Sequence, residues 1–234
     1  MKRSVANVPA LERGLRLLEW MTSQEEAVSL TQIAEGLGLG IPEVQRPVAC
    51  LESLGYLRRL AAGGYVVSGR LYAVASHQPL IHRLRTTAEP VLREFATTTG
   101  HSIHLSVPDG DAALMILDVP GGGIVRISLR PGARFSVKDT LSGALLAAAG
   151  ELAHPPGWKP ESKILKAIKV RLPVATPSQR AFGVTDIGIL LRDQENRVLG
   201  VLASSVVQPA KGKLPERQLI NALQKTSAAI AMRY

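Results

Sequence analysis

Between Ser29 and Val67 a capped short helix, a glycine turn, a third helix and a tight hairpin follow one another without spacers, and few folds accept that order. Ser29 followed three residues later by Gln32 gives S-x-x-Q, a capping box that satisfies otherwise orphaned backbone donors. It opens a helix over residues 30–35, packed through Ile33 and Ala34. The run Gly36-Leu37-Gly38-Leu39-Gly40 then breaks the chain into a turn. A third helix starts near Pro42, carries Val44, Val48, Leu51 and Leu54 on one face, and stops at Gly55. Residues 57–60 and 65–67 read as short strands joined through Ala61-Ala62-Gly63-Gly64. Upstream, Leu11, Leu15, Leu18 and Thr22 share a helical face over residues 9–21, with Pro9 near the start. Together these elements predict a winged helix-turn-helix domain over residues 1–69. Its third helix is shaped for the major groove and its hairpin for the flanking backbone. A small helical domain that merely packs is the plain alternative.

The rest of the chain has a different texture. Residues 70–100 read as an interrupted helix, broken at Pro79, with Pro90 opening a further helix to Thr99. This predicts a linker helix over residues 70–88 and a second domain over 89–234. From Ile103 onward, strands over residues 103–107, 113–119 and 124–129 alternate with the turns Pro108-Asp109-Gly110-Asp111 and Gly121-Gly122-Gly123. A helix over residues 141–149, a basic segment over 159–171, strands over 188–192 and 198–207, and an amphipathic helix over 217–232 follow. Antiparallel strands flanked by helices indicate an α+β domain of the sensing type.

Composition and charge bound the function. The 234 residues include one cysteine, Cys50, so no internal disulfide forms. Uncharged runs such as residues 140–150 and 198–210 fall well short of the roughly 20 residues of a spanning helix. Residues 1–20 carry charges and no apolar core of a signal peptide. A soluble cytoplasmic protein with no membrane partner is expected. The formal net charge of +9 invites a polyanion, yet residues 1–75 contribute only +1 of it and residues 76–234 contribute +8. The excess lies outside the candidate DNA-binding domain.

Four segments, VPALERGLRLLEWM, SLTQIAEGLGL, CLESLGYLRR and FSVKDTLSGALLAA, resemble in order the isocitrate lyase regulator (IclR) family of bacterial transcription factors. The resemblance implies an N-terminal winged helix, a linker helix and a C-terminal GAF-like α/β effector domain with an antiparallel sheet. It also implies a small metabolite, often a carboxylate or aromatic acid, and homodimers that pair into tetramers. Three departures stand out. Pro42 and Glu43 replace the serine and threonine usual at the start of the recognition helix, and Pro47 sits inside that helix, at a cost of order 3 kcal/mol unless it kinks. The wing tip lacks a basic residue. Finally, Phe182-Gly183-Val184-Thr185-Asp186 runs almost directly into the next strand, which shortens the implied pocket and omits its usual cysteine.

Gln45 and Arg46, on the face opposite Val44 and Val48, suit bidentate pairing with adenine and guanine respectively. Thr31, Arg58 and Arg59 suit phosphate contacts, although exposed arginines on a strand are otherwise unremarkable. Arg13 and Arg16 read as solvated. In the second domain Thr140 caps a helix whose free N–H groups suit a carboxylate, with Ser142 and Gly143 beside the anion; a plain cap without ligand is the alternative. Asp186 and Ser205 fall where the resemblance implies pocket residues. Arg126 and Arg130 share a strand face and either balance an acidic effector or meet water.

Other motifs carry less. His101 and His104 lie three apart on a strand, hence on opposite faces, so no metal site and no cofactor is expected. The Gly121-Gly122-Gly123 run lacks the lysine and helix of a phosphate loop. Cys50 reads as a small buried residue, and no serine has a catalytic motif around it. The chain reads as no enzyme but as a DNA-binding transcriptional regulator controlled by a small, anionic metabolite. The alternative is a degenerate member that binds ligand or oligomerises without reading DNA.

Overall fold

A computed structural model of the chain describes residues 8–123, 127–208 and 216–234. The chain forms two compact units divided between Gln78 and Pro79.

The first unit comprises α1 (Pro9–Met21), α2 (Leu30–Leu37), α3 (Ile41–Ser53), the hairpin strands β1 (Leu57–Arg59) and β2 (Tyr65–Val67), and α4 (Gly69–Ser76). The capping box forms in both directions: the Gln32 N–H donates to Ser29 Oγ at 3.3 Å, and the Ser29 N–H donates to Gln32 Oε1 at 2.8 Å. Helix α2 runs two residues beyond its expected end, because Gly36 belongs to the helix rather than to the turn. A Cβ there would lie 2.2 Å from the Trp20 ring, so only glycine lets the indole rest on the α2 backbone. Gly38, at φ 64°, makes the left-handed stop. The core gathers Leu17, Leu18 and Met21 from α1, Ile33 and Ala34 from α2, Val44 and Val48 from α3, and Leu57 and Tyr65 from the wing. The apolar face expected on α1 is therefore half wrong. Leu11 and Leu15 remain exposed, because α2 and α3 pack against the side that presents Leu17 and Met21.

The second unit is an antiparallel six-stranded sheet with helices on both faces. Its elements are α5 (Pro79–Thr99), β3 (Ile103–Asp109), β4 (Ala112–Val119), β5 (Arg134–Ser136), α6 (Leu141–Ala148), α7 (Ser162–Val170), β6 (Val174–Pro177), β7 (Val184–Arg192), β8 (Val198–Val207) and α8 (Glu216–Arg233). The strand order is β5-β4-β3-β8-β7-β6. Alternation along each strand sends Ile103, Leu105, Ile187, Leu191 and Leu202 to the layer of α5 and α8. Val201, Ala203 and Leu190 face the layer of α6 and α7.

Several expectations are corrected here. Pro90 lies within α5 instead of opening a helix. Of the strand expected over residues 124–129, residues 124–126, Arg126 included, lie outside the described residues, and 127–129 form no strand; β5 is the strand that pairs with the outer side of β4. The basic segment contains α7, which buries Ile164 and Ala167 and turns its lysines outward. Asp186 stands within β7, which begins at Val184. Among the described residues, no helix is long and apolar enough to cross a membrane.

Candidate nucleic-acid interface and ligand cavity

Gly40 precedes helix α3 at its N-terminal cap, and its N–H donates to Glu43 Oε2 at 3.0 Å. The other Glu43 oxygen lies 3.9 Å from the Arg13 guanidinium. The acidic residue that replaces the usual helix-start threonine is thus occupied by its own helix cap and partly balanced by Arg13. Arg13 is paired rather than simply solvated, and Arg16 bridges to Glu12 at 2.6 Å. Both pairs are exposed and contribute little stability.

Val44 and Val48 anchor α3 in the core and Leu51 packs against it. That phase leaves Gln45, Arg46 and Ala49 in solvent. Neither Gln45 nor Arg46 has a side-chain hydrogen bond or ion pair among the described residues, so both are free to meet base edges. Cys50 is exposed, contrary to its reading as a buried residue, because it lies one turn from Arg46 and shares that face. The helix continues through Pro47, which is half-buried beside the valines and leaves the Glu43 carbonyl without its i+4 donor.

The two wing arginines part company. Arg58 pairs across the hairpin with Val66 and Arg59 with Tyr65, so their side chains leave opposite faces. The Arg59 guanidinium sits 5.9 Å from the Tyr65 ring centroid. Both remain exposed, as does Thr31 near the start of α2. The loop at the tip, Ala61-Ala62-Gly63, carries no charge.

In the second unit a cavity of about 160 Å³ opens between the start of α6 and the sheet. Of the residues singled out in sequence, Thr140, Ser142, Asp186 and Ser205 line it. Asp186 and Ser205 are cross-strand partners, and the Ser205 hydroxyl donates to Asp186 Oδ1 at 2.6 Å. Thr140 Oγ1 accepts the Gly143 N–H at 3.1 Å, which fixes the start of α6. Gly143 itself is not part of the lining. A Cβ there would lie 2.5 Å from the Ser136 carbonyl oxygen, so this glycine serves the packing of α6 against the chain that follows β5. Arg130 is exposed and does not line the cavity.

Two lining residues escaped the sequence reading. Arg180 stands over the Phe135 ring at 5.2 Å and supplies a cation to the lining. His104 is buried on β3 and, among the described residues, neither ring nitrogen has a hydrogen-bond partner. Set aside with His101 as a failed metal ligand, it belongs to a different pattern. Ser102, just before β3, and His104 and Ser106 within it recur at period two and are all buried, on the face opposite Ile103 and Leu105, and of the three His104 lines the cavity. Among the described residues, no three His, Cys, Asp or Glu side chains gather as metal ligands would.

Burial pushes the His104 imidazole down to about 4 from its ordinary 6.5. The native state therefore holds it neutral while the unfolded chain protonates it near pH 6.5. Stability linked to this group is fully present above pH 6.5 and is lost as pH falls toward 4, on the order of a few kcal/mol across that window. Denaturant melts at pH 7 and pH 4.5 check this: His104→Leu is expected to flatten the acid loss. An unchanged slope assigns the acid sensitivity to other groups.

The IclR helix-turn-helix domain family matches residues 10–61. The transcriptional repressor IclR of Escherichia coli K12 is 28% identical over 160 residues, covering 64% of this chain and 58% of that protein. The acetate operon repressor of Salmonella typhimurium LT2 is 29% identical over 113 residues, covering 47% and 41%. The chain thus spans about two fifths to three fifths of the length of these curated relatives. In three dimensions it resembles an IclR homolog of Microbacterium hydrocarbonoxydans complexed with 4-hydroxybenzoate, with TM-score 0.77, 22% identity and coverage of 96% and 98%. The Thermotoga maritima IclR gives 0.72, 19%, 95% and 97%. At such identities these two structures speak to the fold.

Proposed function

We propose that this chain is a transcriptional regulator of the IclR family, not an enzyme, that binds operator DNA through α3 and responds to a small organic acid, a reading supported by the match of residues 10–61 to the IclR helix-turn-helix domain. The observation that carries the DNA reading is the side-by-side exposure of the unpaired Gln45 and Arg46 on a helix anchored by Val44 and Val48. Thr31, Arg58 and Arg59 are assigned to phosphates, with the two arginines reaching different stretches of backbone.

Three features support an anionic effector. The first-turn amides of Leu141 and Ser142 lack intrahelical acceptors, the positive end of the α6 dipole meets the cavity, and Arg180 adds a full charge. The Asp186 carboxylate and the neutral His104 on the same lining suit a hydroxyl elsewhere on the acid, through Oδ2 and a ring nitrogen. The hydroxylated acid bound by the Microbacterium homolog is of that class. Exposed apolar residues on α1 and α4, Leu11, Leu15, Tyr72 and Val74, support a homodimer, with further pairing to a tetramer.

Footprinting of DNA upstream of the chain's own gene, with organic acids and their matching amides added in turn, tests the whole reading. A discrete protected site altered by acids and not by amides is expected. No protected site overturns the DNA reading and favours a ligand-binding or assembly protein, a reading that Pro47 and the uncharged wing tip would then explain. Equal effects of acid and amide overturn the anionic effector.

A further inference from the structure

We infer that the second unit carries another ligand site, a cleft for a small organic anion with an apolar body, distinct from the effector cavity and independent of the regulatory reading. A cavity of about 250 Å³ lies against the same end of α6, with Thr140 and Leu141 as a wall shared between the two. Lys138 enters from the turn after β5, and Trp158 and Lys159 from the segment before α7. Neither lysine forms an ion pair among the described residues. The carboxylate that also lines the cleft, Glu161, is engaged by Lys163 at 3.2 Å, which leaves the two lysine charges to set the local sign.

Thr176 supplies the second, independent observation. It is 7% exposed, yet its hydroxyl has no hydrogen-bond partner among the described residues. On β6 it shares a face with Val174, which packs in the layer under α6 and α7, so its side chain points into the cleft. Its oxygen is not among the fully buried unpartnered atoms, so it opens into the cleft, where a bound group can share a hydrogen bond with it. Gln179 adds an amide donor, while Trp158 and Ile164 provide the apolar wall. Two cations, a hydroxyl, an amide and an indole face describe a carboxylate on a ring-sized hydrocarbon body. The shared wall means that an occupant here touches the residues that cap α6 at the effector cavity.

The chain contains two tryptophans, and Trp20, in the first unit, supplies a constant background, so emission from Trp158 reports this cleft. The experiment titrates the full chain with benzoate, benzamide and inorganic phosphate at matched ionic strength. Benzoate is expected to change the emission saturably and benzamide is not. Lys138→Gln combined with Lys159→Gln is expected to weaken benzoate roughly tenfold, and Thr176→Val several-fold. Absence of any saturable response to benzoate overturns the site, whether or not phosphate responds. So does an equal response to benzamide, or unchanged affinity in the double variant. Because the effector cavity has no tryptophan in its lining, a failed footprint and a silent Trp158 are separate results.

Discussion

Replacing Pro47 with leucine is expected to raise the stability of the first unit by about 3 kcal/mol, the typical cost of a proline inside a helix. In a unit of this size that is a rise in melting temperature on the order of 10 °C or more. The gain has two sources. A residue with an N–H restores the bond to the Glu43 carbonyl, and a leucine side chain extends the apolar strip formed by Val44, Val48 and Leu51. Thermal melts followed by far-ultraviolet circular dichroism check the stability. DNA binding is expected to tighten with it, because α3 presents Gln45 and Arg46 only while its own backbone is ordered. A fall in both melting temperature and DNA affinity would show that α3 is built around the proline, with neighbouring groups already adapted to the missing bond.

Arg46→Ala is expected to lose about 1–3 kcal/mol of discrimination at one base pair, roughly 5- to 150-fold, with little change on random DNA. Arg59→Ala is expected to weaken every sequence alike and to reduce the salt slope by about one unit, as the loss of one phosphate contact does. Arg58→Ala should act like Arg59→Ala but independently, since the two side chains leave opposite faces of the hairpin. Competition binding against specific and random duplexes at several salt concentrations separates these outcomes. Equal losses for Arg46→Ala on both duplexes would remove it as a reader of bases, and indifference to all three substitutions would remove DNA as the partner of this unit.

Much of the first unit was legible because its signals are local. A capping box, a glycine with positive φ and a two-strand hairpin each depend on a few neighbouring residues, and Ser29, Gln32 and Gly38 do what their chemistry dictates. The errors arose where a residue had two acceptable surroundings. Leucines at 11, 15, 17 and 18 offer α1 two apolar faces, and only the packing of α2 and α3 decided between them. The residue type of Cys50 points to burial, whereas its exposure follows from the rotational phase that Val44 and Val48 impose on α3.

The ligand cavity shows the same limit. Thr140 at the start of α6 was visible as a cap, since a cap is a three-residue event. Gly143 was misassigned because sequence cannot tell a glycine that admits a ligand from one that admits a neighbouring backbone. His104, visible in sequence only as a metal candidate, and Arg180 cannot be joined to the cavity from sequence, because they reach it from β3 and from the loop after β6, far apart in the chain.

The sequence by itself determined the elements of the first unit, their helix-turn-helix order and the alternation that gives the longer strands of the second unit an inner and an outer face. Periodicity and capping are properties of a few adjacent residues. Only the tertiary structure decided which face each helix buries, and that Asp186, Ser205, His104 and Ser142 meet around one cavity. Those meetings rest on sheet order and register, with β3 paired to β8 across about a hundred residues of chain, and no local signal encodes a contact between segments so far apart.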